Sequence, residues 1–154
     1  MTIAIDSPAP TFTAPSTDGE FSLEALKGQI VVLYFYPKDN TPGCTTQGQN
    51  FRDLHAEFEA AGARIFGISR DTLSSHVKFR EKQEFPFALI ADPDEKVCEL
   101  YGVMKMKNMY GKQVRGIERS TFLIDADGLL RKEWRGLKVP GHVDAVLAAA
   151  RELG

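Results

Sequence analysis

Two cysteines, Cys44 and Cys98, are the residues of this 154-residue chain with the most reactive chemistry to offer. Neither belongs to a CxxC pair, so the spacing spells out neither a dithiol-exchange motif nor a cysteine-based zinc site. His55, His76 and His142 are scattered along the chain rather than one helical turn apart. They are read as ordinary surface or half-buried histidines, and no metal site is expected. Cys44 is the more promising thiol, because Lys38-Asp39-Asn40-Thr41-Pro42-Gly43 forms a turn-rich loop leading from an apolar run into a helix that begins at this cysteine. Unpaired N–H groups and the helix dipole favour negative charge at such a helix start, so the thiolate is expected to be stabilised there over the thiol. Ionisation alone is a modest gain. A free cysteine is roughly 3% thiolate at neutral pH, so complete ionisation adds only ~30-fold in rate, about 2 kcal/mol. Fast nucleophilic chemistry also needs donors aimed at the charge that develops in the reaction.

The elements that must position this thiol are visible as changes of hydrophobic period. Gln29 to Tyr36 is a continuous β-branched and aromatic run, the mark of a strand covered on both faces. Pro37 ends it. Phe51, Leu54, His55 and Phe58 fall at helical spacing and predict one amphipathic helix from Cys44, capped by Gly62. Ile65 to Ser69 reads as a second buried strand, which makes strand, helix and strand a crossover unit with a parallel pair. Asp71 or Thr72 is expected to cap a helix through about Lys82. Phe87 to Ile90 then leads into Asp92-Pro93-Asp94 and a short helix carrying Val97, Leu100 and Tyr101. Val103 to Met109 and Gly116 to Ile124 read as strands around Tyr110-Gly111-Lys112. Asp125-Ala126-Asp127-Gly128 is a hairpin signal before Leu129 to Trp134, so the last third of the sheet is expected to be antiparallel. A C-terminal helix shows Val143, Val146, Leu147 and Ala150 on one face. The opening segment, with Pro8, Pro10 and Pro15, is expected to be extended or turn-like, and Ser22 to start a short helical turn closed by Gly28.

The fold class is α/β, and residues 1–154 are read as a single domain. With 43% hydrophobic and 26% charged residues, the composition is that of a soluble globular protein able to build its own core. A net charge of -2 and a pI near 5.9 give no general attraction to nucleic acid or anionic lipid. No apolar run is long enough to span a bilayer and the N-terminus has no basic start, so a cytoplasmic location is expected.

The segment Pro37-Lys38-Asp39-Asn40-Thr41-Pro42-Gly43-Cys44 resembles the PxxxTxxC active-site motif of peroxiredoxins. With proline near 5% of residues and threonine about as frequent, both positions match around a given cysteine by chance roughly 0.3% of the time. Downstream, Gly116 to Asp125 resembles the family strand that carries a catalytic arginine, here Arg119. The similarity runs from about Phe12 to Leu147 and is nearest the bacterioferritin comigratory protein, or peroxiredoxin Q, branch. It implies a thioredoxin-like fold with a central mixed β-sheet flanked by helices. It also implies a peroxidase of antioxidant defence that reduces hydrogen peroxide and organic hydroperoxides without metal or organic cofactor. By this resemblance Cys44 is the nucleophile that becomes a sulfenic acid, and Thr41 hydrogen-bonds sulfur and peroxide. Arg119 stabilises the thiolate and polarises the substrate, Pro37 shields the site from water, and the backbone at Gly43 and Cys44 helps bind the peroxide. A monomer is implied as well.

The chain also departs from this branch. The usual resolving cysteine stands five residues after the nucleophile, where this chain has Gln49, and the alternative lies near Arg80, again without a cysteine. Gln47 stands where many relatives carry glutamate. The reading adopted is a one-cysteine enzyme reduced by an external thiol: thioredoxin, glutaredoxin or a small thiol. A second reading makes Cys98 the resolving partner, while its bland alternative is a small apolar side chain packing a helix. Two further classes are a thioredoxin-type disulfide oxidoreductase, which normally needs a second cysteine close by, and a non-catalytic interaction or chaperone module that kept only the fold.

Overall fold

The computed structural model describes residues 4–153. A hairpin of β1 (Thr13–Ser16) and β2 (Gly19–Ser22) is followed by a 3-10 turn, Glu24–Leu26, and then by β3 (Ile30–Phe35), α1 (Pro42–Asp53), α2 (His55–Ala60) and β4 (Ala63–Ser69). The chain continues through α3 (Leu73–Gln83), β5 (Ala88–Ala91), α4 (Lys96–Leu100) and a hairpin of β6 (Met104–Met109) and β7 (Lys112–Ile117). It ends with β8 (Ser120–Ile124), β9 (Leu130–Arg135) and α5 (His142–Leu153). Seven strands form one sheet in the order β2-β1-β5-β4-β3-β8-β9. The neighbours β3, β4 and β5 are parallel, whereas β8 runs antiparallel to β3 and β9 antiparallel to β8. This is the mixed sheet expected from the sequence.

Every residue of β3 is buried because side chains leave a strand on alternate faces and both faces are covered. Val31, Leu33 and Phe35 join one core with Cys98, Tyr101 and Phe122. Ile30, Val32, Tyr34 and Tyr36 join a second core with Cys44, Phe51, Phe58, Phe79 and Val146. The sheet therefore separates the two cysteines, with helices α1, α2, α3 and α5 on the side of Cys44 and α4 on the side of Cys98. Phe51 lies against Tyr34 with ring centroids 4.6 Å apart and is fully buried. Truncating it to alanine is expected to cost about 3–5 kcal/mol and to loosen α1 from the sheet.

Three local expectations are corrected. The helix from Cys44 to Gly62 is two helices with Leu54 between them at φ -103 and ψ 7. No proline or glycine marks the break, which keeps Phe51 and Phe58 buried while Leu54 packs on the same core. Gly116 to Ile124 is not one strand: β7 pairs with β6, β8 pairs with β3 and β9, and the chain changes partners at Glu118 and Arg119. There the Glu118 N–H donates to the Val103 carbonyl at 2.7 Å and the Ser120 hydroxyl to the Glu118 carbonyl at 2.8 Å. As a consequence β6 and β7 stand apart as a two-stranded sheet and do not extend the central one. Pro15 is extended, as expected, and lies inside β1, exposed to solvent. Because β1 meets β5 only where Ser16 faces Ile90, its missing N–H forfeits no bond on that side.

Candidate active site

The carboxyl end of β3 leads through Tyr36 and Pro37 into a loop that closes at Thr41, the N-cap of α1, with Pro42 as the first helical residue. Proline suits this position, where no intrahelical donor is required. The Thr45 N–H donates to the Thr41 carbonyl at 2.9 Å and starts the helix. Cys44 is the third residue of α1, only 2% exposed. Its Sγ accepts a hydrogen bond from Arg119 Nη2 at 3.4 Å, while Arg119 Nη1 donates to Gln47 Oε1 at 2.7 Å. Arg119 sits at the break between β7 and β8, so the change of strand partners is what turns its side chain toward α1. A Cβ at Gly43 would lie 3.1 Å from Arg119 Nη2. The guanidinium thus crosses the helix start where the side chain is smallest.

The structure joins Cys44, Gly43, Arg119 and Gln47 in one site. Thr41 stands on the same turn, with its hydroxyl donated to the Lys38 carbonyl at 2.8 Å and its oxygen still able to accept. Pro37 is half-buried at the mouth of the loop, lining a surface groove with Lys38, Arg70, Asp71, Pro93 and Glu95. Sulfur at a helix N-terminus, held by a guanidinium and shielded from water, is equipped to act as a nucleophile and to carry developing negative charge.

The sequence model of the AhpC/TSA family matches residues 5–133. Peroxiredoxin Bcp of Xanthomonas campestris is 52% identical over 98% of this chain and 97% of its own length, and peroxiredoxin Bcp of Bacillus subtilis 47% over 99% and 98%. A solved structure of Xanthomonas campestris peroxiredoxin Q superposes with a TM-score of 0.90 at 50% identity, covering 97% of this chain and 96% of that one. Trapped intermediate and ligand complexes of the bacterioferritin comigratory protein of the same organism, described for its alkyl peroxide reduction activity, superpose with a TM-score of 0.89 at 49% identity, covering 97% of each chain. This chain belongs to the AhpC/TSA family as a peroxiredoxin.

As a peroxiredoxin it is a thiol-dependent peroxidase with a thioredoxin-like fold, and its second cysteine is placed very differently from the first. Cys98 is fully buried in α4, and its backbone N–H donates to Asp92 Oδ2 at 2.8 Å. Burial pushes its thiol well up, and the Asp92 carboxylate beside it adds to the shift. Around Cys44 the phenol of Tyr34 is also pushed well up, first by burial and then by Cys44 itself, so it stays protonated. Lys107 reaches over from β6 to donate to the Ile117 carbonyl. Burial and then Arg119 lower its pKa, with Cys44 opposing them.

The histidines are the clearest departure from expectation, since two of the three are buried rather than at the surface. His76 is fully buried, with Nδ1 at 2.8 Å from Asp39 Oδ2 and Nε2 at 2.9 Å from the Ile90 carbonyl. Asp39, in the active-site loop, also accepts from the Tyr36 hydroxyl at 2.7 Å and the Ser75 hydroxyl at 2.8 Å, and its N–H donates to Asp71 Oδ2 at 2.9 Å. The loop before Thr41 is thereby tied to α3 and β5. Asp39, Asp71 and His76 bring ligand-type atoms within 4.8 Å of one another, yet these atoms already serve one another and their neighbours as hydrogen-bond partners. His142, at the start of α5, lies 2.8 Å from the Thr121 hydroxyl, and burial, then Arg119, lower its pKa to about 4. A single sequence shows no signal for the Asp39 network, because its members are 37 residues apart in the chain and meet only through the sheet.

Proposed function

We propose that this peroxiredoxin works as a one-cysteine enzyme, with Cys44 as nucleophile and an external thiol as reductant. The thiolate attacks the terminal oxygen of ROOH and the O–O bond breaks. Cys44 becomes a sulfenic acid, and the departing RO⁻ takes a proton to leave as water or an alcohol. The observation that carries this reading is the contact of Arg119 Nη2 with Cys44 Sγ at the first turn of α1. It aims a permanent cation at the sulfur and at the oxygens of a peroxide drawn up to it. With its proton given to the Lys38 carbonyl, the Thr41 hydroxyl oxygen accepts from the peroxide, the backbone at Gly43 and Cys44 supplies further donors, and Pro37 screens the mouth of the site.

External reduction is supported by the central sheet lying between the two cores that hold Cys44 and Cys98. A bridge between them would require one helix to leave its core. Water, or an alcohol from an organic hydroperoxide, is the product. Thioredoxin, glutaredoxin or a small thiol restores Cys44 by way of a mixed disulfide. We read the chain as one domain acting as a monomer in the cytoplasm; among the described residues no helix is long and apolar enough to cross a membrane. Turnover of hydrogen peroxide with dithiothreitol, thioredoxin or glutaredoxin tests the scheme. Cys44→Ser is expected to abolish turnover with each reductant and Cys98→Ser to retain it, whereas loss of turnover in Cys98→Ser would overturn external resolution.

A further inference from the structure

The β6–β7 hairpin stands apart from the central sheet, and its charge differs from that of the rest of the chain. Residues 103–117 hold Lys105, Lys107, Lys112 and Arg115 and no aspartate or glutamate, in a chain whose net charge is -2. Successive side chains of a strand leave on opposite faces, and residues directly opposite in an antiparallel pair share a face. Lys105 pairs with Gly116 and Lys107 with Val114, and Lys112 stands two residues before Val114. One face of the hairpin therefore carries all three lysines. Arg115, on the other face, is held by Glu95 and Glu99 at α4 and anchors the hairpin. None of the three lysines has a carboxylate within salt-bridge distance among the described residues, in contrast to Arg70, Arg80, Arg115 and Arg131. The lysine face adjoins the active site: Lys107 donates to the Ile117 carbonyl, two residues before Arg119, and both Arg119 and Cys44 act on its charge. Met106, Tyr110 and Val114 are three of the seven large apolar side chains exposed among the described residues. Tyr and Met are enriched in protein interfaces, and charges at an interface rim steer the encounter.

We propose that the lysine face of the β6–β7 hairpin is the docking surface for the reductant of Cys44, a dithiol protein whose reactive thiol is ringed by acidic side chains. This rests on Cys44 being the nucleophile and on its external reduction, and it names the chemistry of the partner. A six-residue strand runs about 20 Å, more than a small thiol spans, whereas the acidic rim of a folded partner meets Lys105, Lys107 and Lys112 together. Once it is docked, the partner's thiolate attacks the sulfur of the Cys44 sulfenic acid, the S–O bond breaks and the hydroxide takes one proton to leave as water. The partner's second thiol loses its proton and attacks the partner sulfur of the mixed disulfide. Cys44 leaves as the thiolate and the partner, which has supplied both electrons, leaves as a disulfide.

The test compares Lys105→Glu/Lys112→Glu and Lys105→Arg/Lys112→Arg with the parent protein in hydrogen peroxide turnover, using a thioredoxin of net negative charge or dithiothreitol as reductant. The glutamate pair is expected to lose about tenfold in kcat/KM for thioredoxin at low salt, a deficit that shrinks as salt is added, with dithiothreitol turnover unchanged. The arginine pair keeps the charge and is expected to match the parent with both reductants. A glutamate pair that matches the parent with thioredoxin, or that loses as much with dithiothreitol, would overturn the proposal. So would a parent that turns over with dithiothreitol but not with thioredoxin. A parental dimer in sedimentation that the glutamate pair dissolves would also overturn it, since the hairpin would then bind a second copy of this chain. A parent protein that turns over with neither reductant would instead remove the reading on which the proposal rests.

Discussion

Cys44 and Cys98 are both buried thiols in helices, with exposures of 2% and 0%, and accessibility does not tell them apart. Charge does. Cys44 meets the guanidinium of Arg119 and the free N–H groups of an N-terminal turn, whereas Cys98 meets the carboxylate of Asp92, which together with burial pushes its thiol well up. On the reading proposed above, the same functional group is prepared as a nucleophile on one face of the sheet and held as an apolar packing unit on the other. Reactivity is therefore expected to follow the sign of the neighbouring charge more closely than exposure.

The comparison breaks most severely if the cation is removed. Arg119→Met is expected to slow sulfenic acid formation by about 10²–10³-fold, the usual penalty for losing a preorganised donor, and stopped-flow measurement with hydrogen peroxide checks it. A smaller effect is expected on stability. His142, on the Cys44 face, has its pKa lowered to about 4 from 6.5, so between these values the unfolded chain binds a proton that the folded one refuses. Stability is then greatest above about pH 6.5 and is lost as pH falls toward 4, by about 2–3 kcal/mol from this group. Urea unfolding at pH 7 and pH 4.5 is expected to show this acid loss, reduced in His142→Gln. Thr41→Val sharpens the comparison further by leaving both charges in place. Peroxide reactivity is expected to fall roughly tenfold, about the ~1.4 kcal/mol of one hydrogen bond, with alkylation by iodoacetamide nearly unchanged.

Much of this architecture is legible in the sequence where a local pattern determines it. The apolar run of β3, the turn residues before Cys44, the Thr72 cap that accepts from the Ser75 N–H at 3.2 Å and the Asp125–Gly128 turn each declare themselves within a few residues. The motif around Cys44 likewise points to Thr41 and, through the downstream strand, to Arg119. What the pattern hides is set by partners far away in the chain. The break at Glu118 and Arg119 follows from β7 pairing with β6 while β8 pairs with β3, and an unbroken stretch of strand-like residues gives no sign of it. The burial of His76 depends on Asp39 and on the Ile90 carbonyl meeting it from two other elements. Gln47 is marked in the sequence only by the resemblance, and its hydrogen bond with Arg119 across the start of α1 has no local signal.

The central claim, that Cys44 alone reacts and that Cys98 does not complete the cycle, is tested most directly by a single turnover. The reduced protein and Cys98→Ser would each receive one equivalent of hydrogen peroxide with no other thiol present, followed by intact-mass measurement with and without dimedone. Both proteins are predicted to gain one oxygen at Cys44 and to be trapped by dimedone to the same extent. A parent protein that instead loses two hydrogens to a Cys44–Cys98 bridge, while Cys98→Ser retains the sulfenic acid, would contradict the account.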